Sequence, residues 1–550
     1  MAREPSPVRA LARSGVLRRD VAALGLFGLA EYGPWVAMLV YAYSQGGSAA
    51  TGIVSFALLV PTALFAPFGG PLTDRFGASR TLFGAYSAQA LVMAATAGSL
   101  LYGAPPVVSY ALGAATAMLL VVTHSAHAVV SPGLARTAEQ LVALNAVTLW
   151  ILSVGVFVAP AAAGLILEVG SPGAVYAAGA GCLVGSALLV APLRNLVPPL
   201  ARDVDAATQG ALQQLAQGAR MLARSTASRE VVIVLATSYF VVGAIDVLAV
   251  VLAVETFELG NSGAAYLTAA HGAGAVLGAV ASLALVGRSG LARFMVGATL
   301  LAAGAFVLLG FVTAVLIAFI VAIVTGISRS LLEVSGHTLL QRVTSTALLA
   351  RVFAFKDAVA MGAWALGSIM VPIVIALADI RAALFVTGLL MPAIILLRLR
   401  PLLAVDSAAT VPAVRIALLR SLRIFRALPV PELEGVARNA WDVSAAAGEV
   451  VVRQGEAGDT YFAIADGMVE VVKDDVAENT LQRGDGFGEI ALIDDVPRTA
   501  TVIALTDATL VAIAREPFLV AVTGHAPTGD TVRRVAAERH PRNPVQRNAG

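Results

Sequence analysis

Apolar residues fill long runs up to about position 397, and beyond it they alternate with polar ones. A helix needs about 20 apolar residues to cross a bilayer. Runs of that size occur at 21–43, 50–69, 81–102, 107–130, 146–167, 173–192, 231–254, 263–286, 292–312, 314–338, 354–377 and 381–397. A polar stretch from Arg194 to Glu230, with an amphipathic helical pattern at Ala211–Arg224, separates the sixth run from the seventh. This predicts an α-helical polytopic membrane protein of twelve transmembrane helices in two six-helix halves. Past the last run, Ile416, Leu419, Leu422, Phe425 and Leu428 recur near helical spacing within Val414–Ala437. From Val443 the pattern becomes short and alternating, as at Gly448–Gln454, Tyr461–Ala465, Met468–Val472 and Thr499–Leu505, with Gly and Asp between. So many short strands predict a C-terminal β-roll or jelly roll, closed by a helix at Glu516–Thr523.

The predicted domains are a basic N-tail (1–20), a membrane part (21–400) with its central loop at 193–230, and a linker (401–414). A β-roll domain (415–526) and a lid helix with tail (527–550) follow.

Charge sharpens the division. Of the 550 residues 58% are hydrophobic and 13% charged. The last 140 residues hold 34 charged ones, about 24%, close to the usual level of a soluble domain, whereas the first 410 hold only 38. The net charge of +2 gives no case for a nucleic-acid partner. One cysteine, Cys182, excludes an internal disulfide and a Cys-based zinc site. With the N-terminus inside, the tail arginines, Arg75, Arg80, Arg136, Arg194, Arg202, Arg220, Arg224, Arg229, Arg288, Arg293, Arg342, Arg351, Arg398 and Arg400 all fall on the cytoplasmic side, and the outer loops keep little besides Arg381. The positive-inside rule then predicts a multi-pass cell-membrane protein with both termini cytoplasmic.

The loop after the second span reads Gly70-Pro71-Leu72-Thr73-Asp74-Arg75-Phe76-Gly77-Ala78-Ser79-Arg80. It resembles the Gly-x-x-x-Asp-Arg-x-Gly-Arg-Arg loop of the major facilitator superfamily. Gly70, Asp74, Arg75, Gly77 and Arg80 match, and Ala78 departs from the usual basic residue. The resemblance implies a loop that latches two halves together. There an Asp would pair with a helix N-terminus and Arg groups, and glycines would permit a tight turn and close helix approach. Gly155, Pro160 and Gly164 in the fifth span loosely resemble a Gly-Pro motif of exporters in that superfamily; small-residue helix packing explains them equally well.

Ionisable residues inside the spans are candidates for transport chemistry because charge is costly there. Glu31 lies mid-span in the first helix and Asp246 mid-span in the seventh. Each either takes up a proton or makes a structural hydrogen bond to a neighbouring helix. Arg329, Glu333 and His337 share one helix face at i, i+4, i+8, and either line a cavity or lock the bundle. His124 and His127 have a metal-compatible i, i+3 spacing without a third ligand in view, so no metal site is assigned. Lys356 and Asp357 read as an interfacial pair.

The most specific motif is Gly486-Phe487-Gly488-Glu489-Ile490-Ala491-Leu492-Ile493-Asp494-Asp495-Val496-Pro497-Arg498-Thr499-Ala500-Thr501-Val502. It resembles the phosphate-binding cassette of cyclic nucleotide-binding domains, and Gly448, Gly455, Gly458 and Gly467 match that family's turn glycines. A cyclic phosphodiester carries one negative charge, for which Arg498 is a charge-assisted partner. Amides near Ile490, Ala491 and Thr499 suit the same phosphate. Glu489 suits the ribose 2′-hydroxyl, and Gly488 permits close approach. Thr499 is compatible with either purine, and cAMP is favoured over cGMP. A lid helix is expected at Thr528–Arg539.

Together these readings predict a secondary active transporter, an exporter coupled to protons, regulated by a cyclic nucleotide and needing no cofactor. Its partners would be the nucleotide, a small-molecule substrate, protons and the bilayer. The alternative is a membrane-anchored nucleotide sensor that does not transport. No P-loop, nucleophile elbow or metal triad supports an enzyme.

Overall fold

The computed structural model describes residues 14–135, 138–194, 196, 204–285, 290–311, 314–344, 346–408, 413–426, 428, 430–493 and 496–523. The tail through Arg13, Arg136, Arg202, Arg288, Asp494, Asp495 and the expected lid helix lie outside these residues. The chain divides into two compact units, one mainly up to Ala409 and the other mainly from Thr410 onward.

The first unit is helical. Its helices are α1 (Gly15–Phe65), α2 (Gly69–Phe76), α3 (Ala78–Leu101), α4 (Pro106–Leu134), α5 (Ala138–Val169), α6 (Pro172–Val190), α7 (Val204–Arg224), α8 (Thr226–Val251), α9 (Gly260–Ser282), α10 (Leu291–Phe311), α11 (Val315–Val343), α12 (Thr346–Leu377) and α13 (Ile380–Ala408). Among the described residues ten helices are long and apolar enough to cross a membrane. The first two predicted spans lie on α1, which is broken at Gly46 and Gly47, where Gly47 takes φ +62°. The third predicted span is α3, which is not among the ten. It carries the buried Gln89, whose Oε1 accepts from Thr123 of α4 at 3.1 Å. The amphipathic pattern of the central loop forms α7.

Close helix crossings hold this unit together. A Cβ on Gly243 of α8 would fall on the Trp364 carbonyl oxygen of α12, and one on Gly367 of α12 would fall on the Phe240 carbonyl oxygen of α8. The α9–α11 crossing is reciprocal in the same way: Gly326 meets the His271 carbonyl and Gly274 meets the Ile323 carbonyl. Such small-residue contacts let helix backbones approach closely. In the fifth span a Cβ on Gly155 would lie in ordinary contact with the Gly28 carbonyl oxygen at 3.7 Å, whereas one on Gly164 would meet the Tyr266 ring at 2.7 Å. Packing requires glycine at Gly164.

Two local expectations change. The loop resembling the superfamily signature is almost wholly helical: α2 runs to Phe76, Gly77 alone breaks it at φ +82°, and α3 starts at Ala78. Asp74 therefore lies in the last turn of α2 and not at a helix N-terminus, and the Arg75 guanidinium lies over the Phe76 ring. Gly77 meets the need for a tight turn. Close approach belongs to Gly69, whose Cβ would meet Ser125 Oγ of α4 at 2.6 Å, because an added Cβ on Gly70 meets nothing within 4 Å. Second, the expected linker is partly helix. α13 continues through Pro401 to Ala408 because Leu402 and Val405 are buried in the helical core. That packing outweighs the hydrogen bond a proline removes.

In the second unit the expected single helix at 414–437 is two, α14 (Ala413–Ser421) and α15 (Val430–Asn439). Pro431 stands in the first turn of α15, the one helical position where proline fits well. The strands are β1 (Trp441–Ala445), β2 (Val450–Val452), β3 (Thr460–Asp466), β4 (Met468–Lys473), β5 (Val476–Gln482), β6 (Gly486–Phe487), β7 (Thr501–Ala504) and β8 (Ala508–Ala514). The short helix α16 (Glu489–Ile493) follows β6, and α17 (Arg515–Thr523) follows β8. The strands form two antiparallel sheets of order β1-β8-β3-β6 and β2-β7-β4-β5. Strand periodicity sorts the side chains. Phe462 and Ile464 of β3, with Leu510 and Ala512 of β8, share one core with Val469, Leu481 and Val502 of the other sheet. The alternate residues Tyr461, Ala463, Val511 and Ile513 pack instead with Leu419, Phe425, Leu433 and Phe518 of the helices.

Candidate functional site: a nucleotide pocket in the β-roll

The cassette residues converge on a cavity of about 470 Å³, within the usual range for small-ligand sites. Its wall is formed by Val471, Lys473, Glu478 and Asn479 from β4 and β5, and its floor by Gly488 to Ala491, Arg498 and Thr499. All six residues expected to hold the nucleotide (Gly488, Glu489, Ile490, Ala491, Arg498 and Thr499) line it. The contribution of Lys473, Glu478 and Asn479 was not legible in sequence, since it comes from the pairing of β4 with β5.

Arg498 is held by backbone groups at both its main chain and its guanidinium. Its backbone N–H donates to the Glu456 carbonyl at 2.8 Å, and its carbonyl accepts from the Gly455 N–H at 2.9 Å. Its guanidinium donates from Nη2 to the Thr460 carbonyl at 2.8 Å and from Nη1 to the Gly488 carbonyl at 3.4 Å. The group lies 5.9 Å from the Phe462 ring centroid and is 7% exposed. A guanidinium has five N–H donors, more than these two bonds use. Burial draws Arg498 below its usual value, opposed by the negative charges of Asp459, Glu489 and Glu456. The result is a desolvated cation at the bottom of a pocket, a setting in which an anion is bound strongly.

Two glycines make room for it. Gly488 sits at φ +96°, and a Cβ there would come within 2.5 Å of Arg498 Nη1 and 2.9 Å of the Thr460 carbonyl. A Cβ on Gly458 would meet Arg498 Nε at 2.8 Å. Directly after Gly488, Glu489 opens α16 and is 1% exposed. Ile490 and Ala491 occupy the first turn, where backbone N–H groups have no intrahelical acceptor. The fold thus places a guanidinium, a carboxylate and helix-start amides on one cavity.

The expected transport residues lie in the helical unit. Glu31 Oε1 is 3.2 Å from His124 Nε2. Asp246 Oδ2 accepts from two indoles, Trp35 Nε1 at 3.2 Å and Trp364 Nε1 at 2.8 Å, so α1, α8 and α12 meet at one carboxylate. Arg329 Nη2 lies 3.8 Å from Glu333 Oε2, and Tyr239 Oη donates to Glu333 Oε1 at 2.7 Å. Tyr32 is within electrostatic reach of Glu31, Arg329, Tyr239 and Glu333, which makes these one polar cluster. Other polar residues of the unit also pair across helices. His124 and His127 do not converge: His124 faces Glu31, and His127 faces Tyr86 and Asp20. Lys356 forms the expected pair with Asp357, Nζ to Oδ1 at 2.5 Å; it is 3% exposed, and its Nζ is also 2.9 Å from His337 Nε2. Asp20, one residue before the first expected span, is a buried acid that hydropathy gave no reason to single out.

The comparisons with known proteins concern the second unit. Residues 442–524 match the family model described as the cyclic nucleotide-binding domain. Over 74 residues the chain is 39% identical to the cAMP-dependent protein kinase regulatory subunit of Aspergillus fumigatus, covering 13% of this chain and 18% of that one. Over 93 residues it is 39% identical to a cyclic nucleotide-gated potassium channel of Rhizobium etli, covering 17% of this chain and 26% of that one. Among solved structures, the regulatory domain of Toxoplasma gondii PKA with cAMP is 27% identical, with a TM-score of 0.22, over 24% of this chain and 52% of that one. The chain spans about a fifth to a quarter of the length of these curated relatives. The pocket lies within the matched residues, and the C-terminal part of this chain carries a cyclic nucleotide-binding domain.

Proposed function

We propose that this chain is a secondary active transporter of the major facilitator type whose cycle is regulated by a cyclic nucleotide in the β-roll. The observation that carries the regulatory half is Arg498, buried at the floor of the cavity with Gly488 and Glu489 beside it. Relatives named for cAMP dependence favour cAMP over cGMP. The transport half rests on the polar cluster of Glu31, Tyr239, Arg329 and Glu333 within apolar helices and on the Asp246 carboxylate that joins α1, α8 and α12. In this reading Glu31 or Asp246 carries the coupling proton, and the two six-helix halves rock about the substrate path. Export is the proposed direction, with both termini in the cytoplasm. Nucleotide would shift the balance of states only by its differential affinity for them.

The test is flux across proteoliposomes holding the full chain, with an imposed pH gradient and a panel of labelled small molecules, with and without cAMP. Gradient-driven flux that responds to cAMP is the expected result. Intact nucleotide binding with no flux of any compound would instead support a membrane-anchored sensor.

Two substitutions refine the pocket. Glu489→Ala is expected to weaken cAMP about tenfold in a titration of the full chain, the worth of one hydrogen bond to a charged group. Thr499→Ala is expected to weaken cGMP more than cAMP if its hydroxyl meets guanine; equal losses would remove Thr499 from base selection.

A further inference from the structure

The helical unit holds a second buried acid–base pair beside the Glu31–His124 contact. Asp20, on α1, is 1% exposed. Its Oδ2 accepts from Ser131 Oγ of α4 at 2.7 Å. Its Oδ1 is buried without a hydrogen-bond partner, and so is His127 Nδ1, 3.9 Å away. The other ring nitrogen, His127 Nε2, is bonded to the Tyr86 hydroxyl of α3. A buried carboxylate oxygen and a buried imidazole nitrogen therefore face each other just beyond bonding distance. Each bears the cost of an unmade hydrogen bond.

We propose that Asp20 and His127 form a proton-binding site, the second along α1 after Glu31. One proton taken up between them turns two unsatisfied atoms into a hydrogen-bonded donor and acceptor. The proton adds to the Asp20 carboxylate, which then donates to His127 Nδ1; no other bond forms or breaks. Geometry links this site to the first. Asp20 and Glu31 are three helical turns apart on α1, about 16 Å along the axis and on one face. Their partners His127 and His124 are one turn apart on α4, and Phe27 packs against both imidazoles and Tyr86. The titratable groups facing Asp20 are His127 from α4 and Tyr86 from α3; His124 lies beside His127, and Tyr86 also reaches Glu31. From α6 comes the neutral Ser186, which donates to the Ala23 carbonyl at 2.9 Å. Arg18 and Arg19, next to Asp20 in sequence, are exposed. A proton that reaches Glu31 from the N-terminal end of α1 thus has a stopping point with a base already in place.

The inference deepens the proton-coupled reading, but its test needs no transported substrate. Infrared spectra of the full chain in lipid nanodiscs, titrated between about pH 4 and 9, report protonated buried carboxyls. Asp20→Asn is expected to remove one titrating carboxyl component and Glu31→Gln a different one. His127→Gln is expected to displace the midpoint of the Asp20 component by about one pH unit. Ser131→Ala, which keeps both titrating groups, displaces the same midpoint and serves where Asp20→Asn does not fold. The proposal is overturned if Asp20→Asn titrates like the parent chain, or if neither His127→Gln nor Ser131→Ala moves a carboxyl midpoint. Intact titration without gradient-driven flux would overturn the coupling reading alone; gradient-driven flux without this titration would overturn this site alone.

Discussion

Arg498→Ala is expected to abolish measurable binding of both cAMP and cGMP to the full chain. A charge-assisted hydrogen bond is worth about 1.5–3 kcal/mol, and a guanidinium offers a phosphate two in parallel. The loss is then about 3 kcal/mol or more, a hundredfold or more in affinity. Truncation would also leave the buried Glu489 carboxylate without its neighbouring cation. Because Arg498 also ties the Thr460 and Gly488 carbonyls, the variant must be compared with the parent by thermal melting without nucleotide. A folded variant that still binds cAMP within tenfold of the parent would show that the cassette is not used as the geometry indicates. Arg498→Lys separates charge from shape: it keeps the cation and loses the fork, so an intermediate affinity is expected.

The pocket was legible in sequence because its chemistry is local. Residues 486–502 carry the glycine, the carboxylate and the arginine in one continuous segment, and the β-roll keeps them together. The remaining wall was not legible, because Lys473, Glu478 and Asn479 come to the cavity through the register of β4 on β5, with Val471 opposite Asn479. The helical unit shows the same division. Apolar runs located its helices, because each long helix is apolar over most of its length. The gap they left at 44–49 is where Gly46 and Gly47 break α1, but they could not show that Leu402 and Val405 carry helix past Pro401. The partners of the buried charges were equally out of reach. Trp35 and Asp246 are 211 residues apart, and His127 and Asp20 are 107 apart on helices whose pairing no periodicity encodes.

Helix crossings give the second large effect. Gly326→Ala and Gly367→Ala are each expected to cost about 3 kcal/mol or to prevent folding, as seen in melting and size exclusion of the full chain in detergent. Overpacking usually costs about 1–3 kcal/mol, because side chains can give way. Here the obstacle is the backbone carbonyl of His271 or Phe240, so whole helices must separate. Gly297→Ala and Gly304→Ala on α10 are the controls. An added Cβ meets nothing within 4 Å at either, and both should be neutral or stabilising by up to about 1 kcal/mol, the helix preference of alanine over glycine. Equal melting of all four variants would show that these crossings do not hold the unit together. Gly243→Ala ties packing to the Asp246 site. The residue it would press on is Trp364, whose carbonyl lies against Gly243 and whose indole donates to Asp246, one turn further along α8. A methyl group there pushes Trp364 away and weakens the hydrogen bond that joins α12 to the carboxylate. A change in Trp fluorescence matching that of Asp246→Asn is therefore expected from Gly243→Ala, without any change of charge.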